Sequence, residues 1–337
     1  METTFRALVS DGKGLDSIKI KKVETSFLPE NDVIIQVHFS ALNYKDALSA
    51  KGHPGITRNY PHIPGIDAAG IILEDKSGKF QIGEKVLVTG YDLGMNSSGG
   101  FSERISVPAE WVHLIPVGLS LEESMILGTA GITAAIALEK MEALMRLNSN
   151  NLSKKNISVT GASGGVGSIS IALLKKAGYL VTALSGKTEL TNWLKSLGAD
   201  EVINRKELLE ASNSSKPLLP SRFDGCIDTV GGEILESVLK VLHKEAPIAV
   251  CGNAGGVNFS TSVFPFILRG NSIVGVDSAH IDKVWRERLW QKLATEWKPD
   301  SLSEIKRVIS FQELPNAIRL MLDGGSHGRV LLNCMLK

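Results

Sequence analysis

Residues 159–168 read Val159-Thr160-Gly161-Ala162-Ser163-Gly164-Gly165-Val166-Gly167-Ser168, and this glycine-rich stretch decides the fold. A β-branched run at 157–160 precedes the glycines, and an apolar helical pattern at 169–177 follows them. The glycines therefore fall at a strand-to-helix turn, where they permit a tight turn and bring pyrophosphate close to backbone N–H groups. Because the Gly-x-x-Gly-x-x-Gly spacing differs from the commoner Gly-x-Gly-x-x-Gly, a glycine-rich turn of another α/β protein is the alternative.

The composition is that of an ordinary globular protein of about two domains. Of the 337 residues, 43% are hydrophobic and 22% are charged, and the net charge is +1. This charge gives no global attraction to nucleic acid or anionic lipid, so we expect neither nucleic acid nor a membrane as a partner. There is no uninterrupted run of 18 apolar residues, and residues 1–10 lack a secretory apolar region, which predicts a cytoplasmic protein.

The three cysteines, Cys226, Cys251 and Cys334, are widely spaced and odd in number. This pattern indicates neither a disulfide framework nor a Cys-x-x-Cys metal site. We expect each cysteine to be a small buried hydrophobic residue.

Two patterns divide the chain. From residue 5 to about residue 121, short strand-like runs alternate with turn residues, which is typical of a β-rich domain. From residue 156, strand-like and helical segments alternate, which predicts a parallel, doubly wound sheet. Its predicted strands are 157–160, 180–184, 201–203, 225–229, 247–251 and 272–276. We expect the segment after about residue 300 to return to the first domain.

The end of the second predicted strand selects the cofactor. An acid there would accept hydrogen bonds from the ribose hydroxyls of NAD, but the strand ends at Ser185-Gly186-Lys187, with no acid before Glu189. We expect Ser185, Lys187 and the Gly186 backbone to bind the 2′-phosphate of NADPH, with Arg205 closing over it. Two such cations would favour NADPH by about 100- to 10,000-fold. The alternative is that Lys187 and Arg205 are solvated surface charges.

Several motifs, in order along nearly the whole chain, carry a resemblance to a known family. They include Ala41-Leu42-Asn43-Tyr44-Lys45-Asp46-Ala47-Leu48 and Pro64-Gly65-Ile66-Asp67-Ala68-Ala69-Gly70, followed by 127–135, 160–167, 227–232, 265–270 and 275–278. The chain resembles the zinc-independent branch of the medium-chain dehydrogenase/reductases, the quinone oxidoreductase-like proteins. Within that branch it is similar to the YhdH/YhfP group of NADPH-dependent acryloyl-CoA reductases.

This resemblance implies an α/β fold of two domains. We expect a doubly wound parallel Rossmann sheet in an NADPH-binding domain at 126–300. A β-rich GroES-like catalytic domain is expected at 1–125 and 301–337. The resemblance also implies a homodimer formed through the edge strand near 272–276, which would otherwise leave backbone groups unpaired.

The family comparison also implies that zinc is absent. In zinc-dependent relatives a cysteine stands where Asn43 is, and a Gly-His-Glu motif stands where Gly65-Ile66-Asp67 is. A catalytic zinc site needs about three protein ligands, and the seven histidines show no ligand spacing. We therefore predict no metal site, and Asp67 is interpreted as a structural carboxylate.

The resemblance places Tyr44 beside the nicotinamide. Its phenol would bind the cofactor amide, donate to an enolate or supply a proton, and Asn43 would provide a second donor. A packing role for Tyr44 is the alternative, and Asp46 is expected to order the loop. Further cofactor contacts are expected at the pyrophosphate and near the nicotinamide, from Ser163, Gly164, Gly165, Val166, Asn253, Ile267, Ser278 and Gly324. Coenzyme A phosphates are expected to contact Lys51, Arg58 and Arg329.

We therefore predict an NADPH-dependent reductase of an activated C=C bond, most simply of acryloyl-CoA or a similar short enoyl-CoA. Hydride added at the β carbon leaves an enolate that a few hydrogen-bond donors can stabilise without a metal. The first alternative is an NADPH:quinone oxidoreductase. The second is a non-enzymatic NADPH-binding protein.

Overall fold

A computed structural model describes residues 3–148 and 152–336. By its internal contacts the chain forms two compact units. Unit 1 comprises Met1–Thr129, Ala279–Glu287 and Lys306–Lys337, and unit 2 comprises Ala130–Ser278 and Arg288–Ile305. The functional boundaries expected from the sequence, at 125/126 and 300/301, stay a prediction.

Strands and helices cover most of the chain. The strands are β1 (Thr4–Val9), β2 (Lys19–Glu24), β3 (Val33–Leu42), β4 (Asp67–Asp75), β5 (Lys85–Thr89), β6 (Arg104–Val107), β7 (His113–Leu114), β8 (Asn156–Thr160), β9 (Leu180–Ser185), β10 (Glu201–Asn204), β11 (Gly225–Asp228), β12 (Pro247–Val250), β13 (Ser272–Gly275), β14 (Lys306–Ile309) and β15 (Arg329–Asn333). The α-helices are α1 (Tyr44–Lys51), α2 (Leu121–Arg146), α3 (Gly165–Lys176), α4 (Thr191–Ser196), α5 (Arg205–Ser212), α6 (Gly232–Lys240), α7 (Phe264–Arg269), α8 (Lys283–Ala294) and α9 (Leu314–Leu322). Short 3-10 helices cover Leu15–Ser17, Thr25–Phe27, Ala109–Trp111, Thr188–Leu190 and Leu302–Glu304.

Unit 1 is organised around a mostly antiparallel sheet, in which only the pair β14 and β15 is parallel among the described strands. Its strand order is β14-β15-β3-β4-β5-β7, and β6 also pairs with β3. The side chains of β3 alternate along much of the strand, with Val33, Ile35 and Val37 buried in the core. Strand β15 pairs antiparallel with β3, which places the C-terminal strand in this unit.

Helix α1 is an element of unit 1 that the sequence analysis does not predict. Asn43 precedes it, Asp46 lies in its first turn, and Gly52 ends it in a left-handed conformation with φ 96°. These are ordinary helix start and stop signals. The strand-rich pattern on both sides of α1 obscures these helix signals in the sequence.

Unit 2 contains a six-stranded parallel sheet in the order β10-β9-β8-β11-β12-β13. Numbered within the unit, the order is 3-2-1-4-5-6, so the strand order reverses between β8 and β11, the point where this fold binds dinucleotides. Each of the six strands begins and ends within one residue of its predicted bounds. The predicted α/β fold, with a doubly wound parallel sheet and a β-rich domain, is therefore confirmed.

Helix α2 is long and apolar enough to cross a membrane by length and composition alone. However, 78% of its most apolar 18-residue window is buried inside the structure, as in the core helix of a globular protein. Its helical path is broken at Gly128, where φ is 50° and ψ is −152°. This break positions the residues around Asp67 described below.

Candidate active site

The glycine-rich turn of unit 2 is shaped by close backbone contacts. Gly161 has φ 56°, and a Cβ atom there would lie 2.2 Å from Thr229 Oγ1. At Gly167 a Cβ atom would lie 2.3 Å from the Gly161 carbonyl oxygen. The first glycine therefore permits the turn, and the last permits close packing of α3 against it.

Backbone donors at the start of α3 are left without protein acceptors. The Gly164 N–H donates to the Gly161 carbonyl at 2.8 Å. Among the described residues, the N–H groups of Ser163, Gly165 and Val166 have no hydrogen-bond acceptor. Because a helix N-terminus carries partial positive charge, this cradle fits the pyrophosphate of a dinucleotide.

Asp228 ties the ends of the two central strands together. Its Oδ1 accepts from Thr160 Oγ1 at 2.6 Å, and its Oδ2 accepts from the Gly231 N–H at 2.9 Å. Burial raises the pKa of Asp228, whereas these hydrogen bonds lower it. The Thr229 hydroxyl also donates to the Thr160 carbonyl at 2.9 Å. Thus β8 and β11 are fixed at the point where the strand order reverses.

The predicted 2′-phosphate residues lie at the carboxyl ends of the paired strands β9 and β10. The Lys187 N–H donates to Ser185 Oγ at 3.1 Å, and burial lowers the pKa of the Lys187 side chain. A Cβ atom at Gly186 would lie 2.8 Å from Arg205 Nε and 3.1 Å from its Cζ. The Arg205 guanidinium therefore packs directly over Gly186, which has room for it only because it lacks a side chain.

The remaining predicted cofactor residues of unit 2 lie on exposed segments or near β13. Asn253 is exposed after β12, and the Ile267 side chain on α7 is 67% exposed. Ser278 follows β13 and accepts a hydrogen bond from Thr133 Oγ1 at 2.8 Å. Thr133 is a contact that the sequence analysis does not identify. The cofactor roles of Asn253, Ile267 and Ser278 stay predictions.

In unit 1, Asn43, Asp67 and Arg329 form a buried polar network. Asn43 Nδ2 donates to Asp67 Oδ2 at 2.8 Å, and Arg329 Nη1 donates to Asn43 Oδ1 at 2.9 Å. Arg329 Nη2 lies 3.5 Å from Asp67 Oδ2, and Arg329 Nε donates to the Ile126 carbonyl at 2.9 Å. Thr129 adds its N–H at 3.0 Å and its hydroxyl at 2.6 Å to Asp67 Oδ1. The structural role expected for Asp67 agrees with these contacts, whereas its connection with Arg329 and Thr129 is visible only in the structure.

Asp46 links this network to the start of α1. Its Oδ2 accepts from the Asn43 N–H and its Oδ1 accepts from the Ile66 N–H, both at 2.8 Å. Burial, and then the charge of Asp67, raise the pKa of Asp46 to about 7. The expectation that Asp46 orders this loop agrees with these contacts.

Gly128 makes room for the network. A Cβ atom there would lie 2.5 Å from Asp67 Oδ2 and 3.0 Å from Arg329 Nη2. Its backbone conformation, with positive φ and ψ near −150°, is one that essentially only glycine adopts. The break in α2 thus admits Asp67 and presents Thr129 to it.

Tyr44 is the first residue of α1, and its side chain is 49% exposed. Among the described residues its phenol has no hydrogen-bond partner, so it is available to a ligand. Asn43 differs, because its amide already bonds Asp67, Arg329 and Asp46. Its predicted role as a second donor to an enolate stays a prediction, and one that requires Asn43 to give up one of these bonds.

The residues suggested for coenzyme A phosphates do not share one environment. Lys51 and Arg58 are exposed. Arg329 is only 2% exposed and its guanidinium is held by Asn43 and the Ile126 carbonyl, so the expectation that it reaches a phosphate is wrong. Gly324, also expected at the cofactor, is exposed with φ 73° and open space around its Cα.

Two known families match the chain. The alcohol dehydrogenase GroES-like domain matches residues 29–117, and the zinc-binding dehydrogenase family matches residues 165–295. The acrylyl-CoA reductase AcuI of Ruegeria pomeroyi is 36% identical over 334 residues, which are 98% of this chain and 99% of that protein.

Two solved structures are similar over their whole length. Escherichia coli K-12 YhdH with bound NADPH is 38% identical, with a TM-score of 0.89, over 99% of this chain and 100% of that one. Bacillus subtilis yhfP with NAD bound is 39% identical, with a TM-score of 0.91, over 98% of this chain and 100% of that one.

The zinc named for one matching family does not fit the residues present. At Asn43 and Asp67, where the family resemblance places zinc ligands in zinc-dependent relatives, the structure has a neutral amide and a carboxylate paired with the cation of Arg329. Across residues 3–148 and 152–336, no group of three or more His, Cys, Asp or Glu residues is arranged to hold a metal. The predicted absence of zinc is supported by this chemistry and stays a prediction.

Proposed function

Because the chain belongs to the medium-chain dehydrogenase/reductase family, we propose that it is an NADPH-dependent reductase of an activated C=C bond. The proposed substrate is acrylyl-CoA or a similar short enoyl-CoA. The observation that carries this proposal is the similarity to the acrylyl-CoA reductase of Ruegeria pomeroyi, which extends over 99% of that protein.

NADPH is proposed as the cofactor because two features of unit 2 fit it. The N–H groups of Ser163, Gly165 and Val166 suit its pyrophosphate. Lys187 and Arg205 provide two cations for its 2′-phosphate, and there is no acid at the end of β9 to repel it. YhdH is bound to NADPH, whereas yhfP is bound to NAD, so the preference of this chain is best measured directly.

The chain's own contribution to the chemistry is proposed to come from Tyr44. NADPH, when bound, would supply a hydride to the β carbon of the enoyl thioester, and the resulting substrate enolate would then take a proton at its α carbon. The phenol of Tyr44, exposed at the N-terminus of α1, would donate a hydrogen bond to the enolate oxygen or to the nicotinamide amide. The partial positive charge of the helix N-terminus would favour the developing negative charge. Asn43 is proposed to support Tyr44 as a donor or by holding its position.

The same scaffold supports two other functions. A quinone would accept hydride from the same cofactor on a flat conjugated ring. A protein that binds NADPH without turnover would need only the glycine-rich turn of unit 2 together with Lys187 and Arg205. The exposed, unpartnered phenol of Tyr44 favours an enzyme over such a binder.

A homodimer formed through β13 and a cytoplasmic location are also proposed. β13 is the last strand of its sheet, and Ile273 on it is 37% exposed. Apolar side chains on the neighbouring helix α7, including Ile267 and Leu268, are exposed as well. A monomeric mass in solution would contradict the dimer.

Oxidation of NADPH with acrylyl-CoA and with a benzoquinone, in one preparation, tests the function. We expect fast, saturable turnover with the thioester and slow turnover with the quinone. The reverse result would move the function to quinone reduction and remove the enolate role of Tyr44. NADPH binding without turnover of either acceptor would indicate the non-enzymatic binder.

A further inference from the structure

The buried guanidinium of Arg329 is a costly feature that the proposed reaction does not use directly. The side chain is only 2% exposed, and burial lowers its pKa from the usual range, which Asp67 and Asp46 partly offset. Its Nη2 atom has no hydrogen-bond partner in the described part of the chain. A well-packed apolar side chain at this position would avoid the cost of desolvating a charge. The buried cation therefore indicates a role other than stabilising the fold.

The contacts of Arg329 lead to Tyr44 through one residue. Arg329 Nη1 donates to Asn43 Oδ1, while Asn43 Nδ2 donates to Asp67 Oδ2. The two sides of the Asn43 amide are thus held by a cation and an anion, which fixes the orientation of the amide. Asn43 immediately precedes Tyr44, the first residue of α1.

The backbone beside Tyr44 is held on both sides. The Asn43 N–H donates to Asp46 Oδ2, and Asp46 Oδ1 accepts from the Ile66 N–H, so the first turn of α1 is tied to the chain before β4. Tyr44 itself makes no side-chain hydrogen bond within the described residues. Its position therefore depends on these neighbours and not on contacts of its own phenol.

We propose that Arg329 is a positioning residue that, with Asp67, orients Asn43 and thereby holds the phenol of Tyr44 where a ligand meets it. The proposal rests on the proposed function only in naming Tyr44 as the residue that contacts the ligand. Arg329 itself touches no substrate. A lysine at this position keeps the charge but cannot bond the Ile126 carbonyl and Asn43 in the same fixed plane.

Fluorine NMR of the full chain labelled with fluorotyrosine tests the positioning without any need for turnover. The chain has four tyrosines, and the Tyr44 resonance is identified by its loss in Tyr44→Phe. We expect Arg329→Lys to shift or broaden the Tyr44 resonance and to leave the other three in place. The matched control is Arg319→Lys on the surface of unit 1, where Arg319 bonds the exposed Asp16, and it should change none of the four. An unchanged Tyr44 resonance in Arg329→Lys would overturn the proposal.

A double-mutant cycle supplies the second readout. We expect Arg329→Lys to lower kcat/KM about 10- to 100-fold, and Tyr44→Phe in that background to cost no more than about twofold further. Equal costs of Tyr44→Phe in both backgrounds would show that Arg329 has only a structural role, and would overturn the proposal. If Arg329→Lys does not fold, Asp67→Asn replaces it and must move the same resonance. If the wild type reduces neither acceptor, the proposed function fails while the NMR result still decides the positioning.

Discussion

The two units each bury an aspartate beside their predicted site, and they use it in opposite ways. In unit 2, the hydrogen bonds that Asp228 accepts from the described residues come from neutral groups, those of Thr160 and of the turn at 230–231. In unit 1, Asp67 is bonded to Asn43 and Thr129 and lies beside the cation of Arg329. Asp228 therefore joins two strand ends. Asp67 instead belongs to a buried network of polar side chains.

The difference determines what each unit leaves for a ligand. Asp228 bonds the strand ends and does not accept from the N–H groups of the turn before α3, which are available for an anion. The network around Asp67 instead engages the amide of Asn43 and leaves the neighbouring phenol of Tyr44 available. The turn of unit 2 thus offers backbone donors to a ligand, whereas unit 1 presents a single side chain.

The largest loss of NADPH binding is expected from a side chain added to the glycine-rich turn, because backbone groups form that site. In Gly167→Ala, the new Cβ would lie 2.3 Å from the Gly161 carbonyl oxygen and 2.8 Å from the Ala162 Cα, so the turn must open. We expect NADPH binding, measured by fluorescence titration, to be lost. Gly178→Ala, just beyond the other end of α3, is the control, because a Cβ there meets nothing within 4 Å. Unchanged affinity in Gly167→Ala would mean that the turn does not bind the cofactor.

The next largest effect is expected from the two cations proposed to bind the 2′-phosphate, Lys187 after β9 and Arg205 after β10. Removing Lys187 and Arg205 together should weaken NADPH by about 100- to 10,000-fold and leave NADH nearly unchanged, because only NADPH carries the 2′-phosphate. Gly186→Ala is a graded version, since its Cβ would displace Arg205 while keeping both charges. Equal losses for both cofactors in the double variant would show that these are only surface charges.

Unit 2 could be predicted from the sequence because its signals are local. Each of the six strands, the glycine-rich turn and the missing acid after Ser185 is a pattern of only a few consecutive residues. The strand bounds and the grouping of Gly186 with Arg205 follow from the regular βαβ pattern, which fixes where consecutive strands lie.

The network of unit 1 could not be predicted in the same way. Arg329 lies 286 residues from Asn43 in the chain, and no periodicity connects them. An arginine on the surface and one buried in a network look alike in a single sequence, so Arg329 was assigned to a phosphate. Gly128 lies in the motif at 127–135, but only the structure shows that the absence of a Cβ atom there makes room for Asp67.

A side chain at position 128 tests how closely the network of Asn43, Asp67 and Arg329 is packed. Gly128→Ala combines a strained backbone with a collision at Asp67 Oδ2, so we expect the free energy of unfolding to fall by about 2–4 kcal/mol. Gly78→Ala is the matched control in the same unit, since it has φ 71° but open space, and should cost about 1 kcal/mol. Equal losses in denaturant titrations would show that the network tolerates a side chain at position 128.

The smallest effect concerns the charge state of the network. The pKa of Asp46 is raised from 3.8 to about 7, so between these values the folded chain holds a proton that the unfolded chain has lost. Stability from this group is therefore present at low pH and is lost as the pH rises toward 7, by about 2 kcal/mol between pH 5 and pH 7. Asp46→Asn cannot titrate, and we expect the wild type to lose stability relative to it over this range in denaturant titrations. Asp16→Asn, at an exposed site, should follow the wild type. A constant difference between wild type and Asp46→Asn would mean that Asp46 is ionised throughout, and that the N–H groups of Asn43 and Ile66 outweigh burial and the charge of Asp67.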